Sequence, residues 1–393
     1  MAWAASPSAA AARLLDDVLA LVPLIRACSE EAERERRLPG RLVDALRAAG
    51  AYRMFVPAEL GGEPVDPLTF AHALEIVAGA DGSAGWNLGT SLACCMAALA
   101  LPDEGLERVF GRGPDVIFAG TFYRATGHAV QAEGGYRVTG RWPFGSGCQQ
   151  ADWLLGTATV MDGAAPRLVD GLPERRICLF SPADCTIVDT WDVVGLRGTG
   201  SHDIEVSDTW VVESLTTPPS RLARSGPIYR FPALPRSALQ CSAVVTGIAR
   251  AALTSFDDVA TVKTPQFATR PLREEPVVHE KRARAEALLE SARAYRAATV
   301  AEVWQALLDG EAATADQGAR VLLASVTAME QAEQAVDLVY KLAGTTGIRR
   351  THPLARAFRD IHVATQNARS VFGFDTVGRL LLGLDSPIGA LLA

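Results

Sequence analysis

The hydrophobic pattern of the first third of the chain is helical. Between about residues 12 and 110, apolar positions recur at the spacing of an α-helix. One such stripe consists of Leu15, Val18, Leu19, Val22 and Ile25. Gly50 ends a short helix over 42–49, and Asp66 followed by Pro67 is a typical N-cap and first-turn pair for the next one. The pattern therefore predicts an α-helical N-terminal region.

The middle of the chain, from about 116 to 213, has short runs in which apolar and polar residues alternate. The runs are VIFAGT, GGYRVTGRW, WLLGTATV, RRICLF, CTIVDTW and HDIEVSDTWVV. Alternation with a period of two, interrupted by Gly, Pro and Asp, predicts an antiparallel sheet, arranged as a small barrel. Residues 134–160 are predicted to form two strands joined by a glycine-flanked turn that presents Ser146.

The last part of the chain is again helical. Residues 216–235 contain five prolines and are predicted to be a linker. Long Ala- and Leu-rich segments follow near 236–262, 277–309, 311–342 and 353–381, which predict four helices of bundle length. We expect three domains: an N-terminal α-helical domain over 1–115, a central β domain over 116–225 and a C-terminal four-helix bundle over 226–393.

Composition and charge exclude several classes of protein. With 393 residues, of which 49% are hydrophobic, the chain can bury a large core, so an ordered protein is expected. The net charge of −7 repels nucleic-acid phosphates and anionic membrane surfaces. The longest apolar run, 86–101, contains polar residues and is shorter than the roughly 20 residues of a membrane span. We therefore expect neither a nucleic-acid nor a membrane partner.

The cysteines and the N-terminal sequence favour a cytoplasmic protein. Seven cysteines is an odd number, and Cys94 and Cys95 lie in the longest apolar run, so reduced thiols are expected rather than disulfides. The first residues have neither the cationic start nor the compact apolar run of a secretory signal. No cysteine or histidine spacing is typical of a metal site, and none is predicted.

Three segments resemble the acyl-CoA dehydrogenase superfamily, whose domains also follow the order α, β and helical bundle. VVGLRGTGSHDIEVSDTWVV, residues 193–212, resembles a strand pair of that family. KLAGTTGIRRTHPLARAFRDIH, residues 341–362, resembles its late glycine turn and the helix that follows. Residues 134–160 resemble its flavin-contacting segment, and are closer to the oxygenase branch. Where the dehydrogenases usually have Trp-x-Thr, this chain has Phe144, Gly145 and Ser146.

The resemblance implies both a fold class and an activity. The fold class is α+β, mainly α, with an acyl-CoA dehydrogenase-like order of domains. The activity is that of the oxygenase component of a two-component flavin-dependent monooxygenase. Such a protein takes reduced FAD or FMN from a separate flavin reductase and reacts with O₂ through a flavin hydroperoxide to hydroxylate a small aromatic, phenolic or indolic substrate. The family also implies a homotetramer.

Ser146 and His362 are the candidate catalytic residues that the resemblance implies. The Ser146 hydroxyl would hydrogen-bond to the flavin ring, with Phe144 and Gly147 as neighbouring contacts. His362 would face the substrate and take a proton from a phenol or an amine. From the residues alone, an ordinary turn residue is the more common interpretation of Ser146, and an ordinary core or surface position on a helix is the more common interpretation of His362.

Further candidate contacts lie near the nucleotide end of the flavin. Arg270, and after it Arg273, are positioned like the family arginine that reaches the flavin pyrophosphate of another subunit. The backbone of Gly344, Thr345 and the two residues after them could bind the same phosphates. A solvated loop and a helix cap remain the alternatives. Tyr123, Arg124 and His128 are either surface residues or neighbours of the substrate pocket.

The glutamate base of the dehydrogenases is missing. Its usual positions correspond to Ala368 and to a place near Ser237, and no Glu occurs between Asp360 and Ala393. Acyl-CoA oxidation by the usual mechanism is therefore not expected. Three alternatives stay open: N-oxygenation of an amine or amino sugar, an FAD-dependent acyl-CoA dehydrogenase with an unusual base, and a non-catalytic binding protein on the same fold.

Overall fold

The computed structural model describes residues 8–219, 224–371, 373–384 and 392, without the side chains of 123, 124 and 367–371. The N-terminal region is helical, as predicted. Its helices are α1 (Ala9–Ala20), α2 (Val22–Glu35), α3 (Gly40–Ala48), α4 (Pro67–Ala80), α5 (Gly82–Ala98) and α6 (Asp103–Phe110). Asp66 is the N-cap of α4, where its side chain accepts hydrogen bonds from the amides of Leu68 and Thr69.

The strands form one mixed sheet and a separate small hairpin. They are β1 (Phe118–Ala132), β2 (Gly135–Gly145), β3 (Trp153–Asp162), β4 (Ala165–Pro166), β5 (Leu168–Val169), β6 (Leu172–Pro173), β7 (Arg175–Phe180), β8 (Thr186–Val188), β9 (His202–Val212) and β10 (Thr216–Thr217). The strand order in the main sheet is β10-β7-β3-β1-β2-β9-β8, with β4 paired to β3, and β5 pairs with β6.

The sheet differs from the predicted one in its pairing. β1 lies between β2 and β3, antiparallel to β2 but parallel to β3. The two strands of 134–160 are therefore not hydrogen-bonded to each other, and the prediction of a purely antiparallel sheet was wrong. Among the described residues no pairing joins β10 to β8, so hydrogen bonds do not close the sheet into a barrel. Alternation reports which face a residue occupies, and it does not report which strand is the neighbour.

The C-terminal region is a bundle of long helices. They are α7 (Pro227–Arg230), α8 (Ala233–Val262), α9 (Pro276–Leu308), α10 (Ala315–Ala343), α11 (Pro353–Val371) and α12 (Phe374–Leu381). The segment 353–381, predicted to be one helix, is two helices, and Gly373 is the N-cap of α12. The predicted linker is partly structured, because β10 pairs with β7 and α7 precedes the bundle.

α8 is the central helix of the bundle. Of the described helices, it alone is long and apolar enough to cross a membrane, but 78% of its most apolar window is buried inside the protein. It packs against α4, α10 and α11. Burial in the protein core therefore accounts for its apolar sequence, and the fold class predicted from the sequence is confirmed.

A buried ion-pair network joins α4 to the bundle. The Glu75 carboxylate contacts the guanidinium groups of Arg296 and of Arg293, the latter at 2.8 Å, and accepts a hydrogen bond from Thr246. Burial alone would raise the pKa of Glu75, but the two guanidinium groups outweigh it and the pKa is lowered. The network therefore attaches the N-terminal helices to the bundle. The buried carboxylate of Glu75 is tolerated only because the guanidinium groups neutralise its charge.

We expect Glu75→Gln to destabilise the protein by about 3–5 kcal/mol, because it leaves the buried guanidinium group of Arg296 without a counter-charge. Glu104→Gln is the matched control, since the pair of Glu104 and Arg108 is exposed on α6 and should contribute less than about 1 kcal/mol. Urea unfolding followed by circular dichroism measures both. Equal losses in the two variants would contradict a structural role of the buried network.

Candidate functional site

The turn after β2 holds Ser146 in place from both sides. The Ser146 amide donates to the Phe144 carbonyl at 2.9 Å, and the Gly147 amide donates to the Thr199 carbonyl at 2.9 Å. Gly147 has φ +77°, a conformation that favours glycine. Ser146 itself is buried, with 6% of its surface exposed. The glycine-flanked turn predicted from the sequence is therefore a rigid element that fixes the hydroxyl.

A row of hydroxyl groups continues from Ser146 into the protein. Ser146 Oγ lies 2.7 Å from Ser201 Oγ, which lies 2.7 Å from Thr199 Oγ1. Thr199 Oγ1 donates to the Leu196 carbonyl at 2.7 Å. All of these side chains are buried. We call Ser146, Ser201 and Thr199 the hydroxyl relay.

The bundle holds the loop on which the relay ends. The Leu196 amide donates to Asp360 Oδ1 of α11 at 2.6 Å, and Arg359 Nε donates to the Val194 carbonyl at 3.0 Å. An ideal Cβ on Gly195 would lie 2.3 Å from the Arg359 carbonyl oxygen, so only glycine permits this approach. The segment 193–212, predicted to be a strand pair, is thus a tight loop followed by β9, and α11 holds the loop.

Asp360 is a buried carboxyl with a perturbed pKa. Burial, together with the nearby carboxyl of Asp81, raises its pKa to about 7, although the Leu196 amide opposes the shift. The pKa of Asp81 is also raised, chiefly by burial. Near neutral pH, ionisation of Asp360 therefore acts against the folded state.

Phe144 and Trp191 form an aromatic surface beside the Ser146 turn. Phe144 has φ +64°, which is strained for a residue with a side chain, and 67% of its surface is exposed. The Phe144 and Trp191 rings meet edge to face with centroids 6.2 Å apart. Trp191 Nε1 donates to the Leu196 carbonyl at 3.1 Å. An exposed aromatic ring on strained backbone beside a buried hydroxyl is suited to a planar ligand.

Asn87 is a site residue that the sequence analysis missed. It lies on α5, is 95% buried, and neither its amide nitrogen nor its carbonyl oxygen has a hydrogen-bond partner among the described residues. Its carboxamide atoms lie 3.6–3.7 Å from the position of an ideal Cβ on Gly147, beside Ser146. Buried polar groups are seldom left unpaired, so this amide fits a polar ligand group. A lone Asn among the glycines of an apolar helix was the signal available in the sequence.

A cavity of about 900 Å³ lies between α5, the sheet and the start of α8. Its apolar lining includes Phe55, Phe70, Met96, Phe122, Ile177 and Phe231. α5 borders both the cavity and the Ser146 turn, because Ala93 in the cavity lining and Asn87 beside Gly147 lie on this helix, six residues or about 9 Å apart. Ser237 lines the cavity, so the second position of the dehydrogenase base faces this space without a carboxylate. The first position, Ala368, lies outside the described side chains.

Glu174 is the one carboxylate among the described residues that line the cavity. Its oxygens accept hydrogen bonds from Arg167 at 2.6 Å and from Arg176 at 3.2 Å. The hydrogen bond from Arg167 is the main cause of its lowered pKa, which makes Glu174 a poor proton acceptor.

The loop that contains Arg270 and the Gly344 turn both contact Lys263, far from Ser146. Lys263 connects them, since its Nζ donates to the Ala343 carbonyl at 2.6 Å and its carbonyl accepts from the Leu272 amide at 2.8 Å. Arg270 is exposed and pairs with Glu275 at 3.5 Å. Along α8, Gln240 at the cavity and Val262 at the C-terminal end are separated by about 33 Å. Within one chain the two groups of predicted cofactor residues therefore form separate sites.

His362 contacts the bundle and not the cavity. Its Nδ1 lies 3.3 Å from Glu333, its Nε2 lies 3.1 Å from Asp337, and its ring packs edge to face on Phe358. His362 is two residues from Asp360, which places it on roughly the opposite side of α11. The cavity lining, as far as the structure describes it, does not include His362. The geometry thus differs from the expectation of a substrate-facing ring, which stays a prediction.

Among the described side chains of the segment near Gly120, one lies in the cavity wall. His128 is exposed on β1, which agrees with the surface alternative. The side chains of Tyr123 and Arg124 lie outside the described residues. Phe122, beside them on β1, lines the cavity.

The fold and the site define a class of protein. N-terminal helices, a central sheet and a helical bundle form the acyl-CoA dehydrogenase fold, and residues 239–370 match the family model "Acyl-CoA dehydrogenase, C-terminal domain". Indole-3-acetate monooxygenase from Pseudomonas putida is 34% identical over 349 residues, which cover 87% of this chain and 86% of that protein. The oxygenase subunit HsaA of a flavin-dependent monooxygenase from Rhodococcus jostii is 29% identical over 361 residues, or 89% and 92% of the two chains.

A solved structure agrees with these relatives. XiaF from Streptomyces sp., in complex with FADH₂ and glycerol, matches with a TM-score of 0.88 and 26% identity over 96% of each chain. The chain belongs to the oxygenase components of the two-component flavin-dependent monooxygenases. It is therefore an oxidoreductase that uses reduced flavin and O₂, and a separate reductase supplies the flavin.

We expect Asp360→Asn to become more stable relative to the wild type as the pH rises from about 5 to about 7. The pKa of Asp360 is higher in the folded protein than in the unfolded chain, where it is near 4. The neutral acid therefore makes its full contribution to the free energy of unfolding below about pH 4, and this contribution is lost as the pH approaches 7. The amide cannot ionise, yet its oxygen can still accept from Leu196.

Urea unfolding at several pH values measures the effect, which should not exceed about 1.4 kcal/mol per pH unit and should level off above about pH 7. Asp16→Asn, on the exposed face of α1, controls for the loss of a negative charge. A constant difference between Asp360→Asn and the wild type at every pH would show that Asp360 does not titrate in this range.

Proposed function

We propose that this protein hydroxylates a small aromatic substrate, phenolic or indolic, with reduced FAD or FMN from a separate reductase. The main observation in its support is the cavity of about 900 Å³, which is lined by phenylalanines and lies on α5 about 9 Å from Asn87, the residue beside the Ser146 turn. Its volume lies in the range of roughly 300–1,000 Å³ that small-molecule sites occupy. Phenylalanine rings bind aromatic substrates through dispersion and edge-to-face contacts.

The charged groups of the cavity narrow the substrate class. Arg175 and Arg236 line it, and its carboxylate, Glu174, is paired with two arginines. A cationic amine would find no free counter-charge there, so N-oxygenation is less favoured than ring hydroxylation. Guanidinium groups suit a substrate with an acidic substituent. The name of the Pseudomonas putida relative, indole-3-acetate monooxygenase, describes such a molecule.

The residues around Ser146 fit a flavin ring. Phe144 and Trp191 offer an aromatic surface, Ser146 a hydroxyl group, and Asn87 a buried amide without a partner. Bound reduced flavin supplies two electrons, with which one atom of O₂ is transferred to the substrate and the other becomes water. The chain's own residues orient the ring, exclude water with the apolar cavity and hold hydrogen bonds at fixed positions.

The dehydrogenase alternative requires a base that the described cavity does not supply. Ser237 occupies one family position for that base, and Glu174 has a lowered pKa. A non-catalytic protein would have no use for a strained Phe144 or an unpaired buried Asn87, both of which cost free energy. Both observations support the monooxygenase over these alternatives.

We propose a cytoplasmic homotetramer in which a second subunit completes the flavin site. Arg270 is exposed on the loop that follows α8, and Lys263 joins this loop to the Gly344–Thr346 turn. Phe267, with 95% of its surface exposed, belongs to the same loop as Arg270, and Ile348 is exposed just after the turn. Exposed apolar groups beside cations are suited to a second chain that brings the phosphates of its own flavin.

We expect NADH alone to give no turnover, whereas NADH with a generic flavin reductase and flavin should give hydroxylated product. The isolated chain has no dinucleotide-binding Gly-x-Gly-x-x-Gly after a strand, so it should not oxidise NADH itself. Oxygen uptake and product formation with indole, phenol and indole-3-acetate measure this. Efficient NADH oxidation by the isolated chain would refute the two-component assignment.

We expect Ser146→Ala and His362→Ala to differ. Ser146→Ala removes a hydroxyl beside the proposed ring site and should raise the hydrogen peroxide released per NADH consumed by roughly fivefold or more. His362→Ala should leave this ratio and kcat within about twofold, because the imidazole is held by Glu333 and Asp337. A tenfold or greater loss of kcat in a folded His362→Ala variant would instead support the substrate-facing role.

A further inference from the structure

The hydroxyl relay can have only one direction of hydrogen bonding. Its three hydroxyl groups carry one proton each, and they form three hydrogen bonds, of which the last ends on the Leu196 carbonyl. A carbonyl oxygen only accepts, so Thr199 must donate to Leu196. Thr199 then has no proton left for Ser201, so Ser201 donates to Thr199. By the same reasoning, Ser146 donates to Ser201.

The surroundings prevent the relay from reversing. The Leu196 carbonyl also accepts from Trp191 Nε1 at 3.1 Å, and the Leu196 amide is held by Asp360. The loop therefore cannot turn its carbonyl away without breaking the bond to Trp191 within the loop and the bond to Asp360 of α11. Thr199 and Ser201 are both buried, with 1% and 3% of their surfaces exposed, so solvent does not supply competing protons.

We infer that Thr199 and Ser201 are positioning residues, which keep the Ser146 proton in the hydrogen bond to Ser201. Ser146 then faces the flavin ring as a hydrogen-bond acceptor. As a result, the site binds reduced flavin more tightly than oxidised flavin. This inference rests on the proposed function. The central-ring nitrogen of a flavin carries a proton in the reduced form and only a lone pair in the oxidised form. Ser146 can accept from the first, whereas the second would place two acceptors against each other, which is unfavourable.

The preference suits a protein that receives its flavin in solution. Reduced flavin from the reductase would bind, and oxidised flavin after turnover would be released. A serine with a free proton could donate to oxidised flavin and would retain it. The direction of the hydrogen bond from Ser146 to Ser201 thus helps to determine whether reduced or oxidised flavin occupies the site.

The test is anaerobic titration of the purified protein with reduced and with oxidised FMN and FAD, followed by fluorescence and absorbance. In Ser201→Ala the Ser146 proton is free to point outward. We expect tighter binding of oxidised flavin and little change for reduced flavin. The dissociation constant of oxidised flavin divided by that of reduced flavin should therefore fall by roughly tenfold. This corresponds to a decrease of about 30 mV in the two-electron potential of the bound flavin.

Matched variants separate this effect from a loss of structure. Thr199→Val removes the acceptor for the Ser201 proton without a large change in volume and should lower the ratio in the same direction. Thr199→Ser restores a hydroxyl and should bring the ratio within about twofold of the wild type. Ser214→Ala, at another buried serine beyond the far end of β9, is the control and should leave the ratio unchanged.

Three outcomes would overturn the inference. An unchanged ratio in Ser201→Ala and Thr199→Val, in a wild type that binds flavin, would refute the relay and leave the proposed function intact. Equal weakening of both flavin forms, together with a lower melting temperature, would show that the hydroxyls are only structural. A wild type that binds neither form, with or without substrate, would refute the proposed function as well.

Discussion

The hydrogen bond from the Leu196 amide to Asp360 is the constraint on which the site depends. It fixes the loop between β8 and β9 to α11, and Gly195 permits the close approach that the bond requires. The Leu196 carbonyl then ends the hydroxyl relay that reaches Ser146. The bundle thus determines the state of a hydroxyl group on the sheet although it does not touch that group. A carboxyl that favours its neutral form at this position makes the contact sensitive to pH near neutrality.

The site lies where the three parts of the chain meet, and each part contributes a different property. The sheet supplies the rigid turn and the aromatic surface of Phe144, while α5 supplies the orphan amide of Asn87 and one wall of the cavity. α8 supplies the opposite wall, and the Glu75 network keeps α4 against it. Contacts outside the site therefore fix the positions of the apolar cavity and the polar turn relative to each other.

Much of this structure could be predicted from the sequence. The features that could not be predicted depend on contacts between residues that are distant in the sequence. Apolar periodicity identified the helical regions, and the glycines around Ser146 identified the turn, because both are properties of neighbouring residues. The parallel pairing of β1 with β3 depends on the path of the chain, which alternation does not encode. The hydroxyl relay joins residues 55 positions apart, and Asn87 meets Gly147 from another region, so neither has a local pattern. His362 lies two residues after Asp360 and therefore on roughly the opposite side of α11. A match of sequence motifs does not reveal which side of the helix faces the site.

The bond between Leu196 and Asp360 also has a consequence for folding, because its partners are 164 residues apart. The Ser146 turn and the strands that carry it are synthesised long before α11, and until that helix docks, the Leu196 loop lacks its support. Closing so long a loop is slow compared with forming the local turns and helices. On the ribosome, the N-terminal parts fold first. The Leu196 loop therefore gains its support from α11 only late in synthesis, and we expect the Ser146 turn to reach its final hydrogen bonding only after that helix has docked.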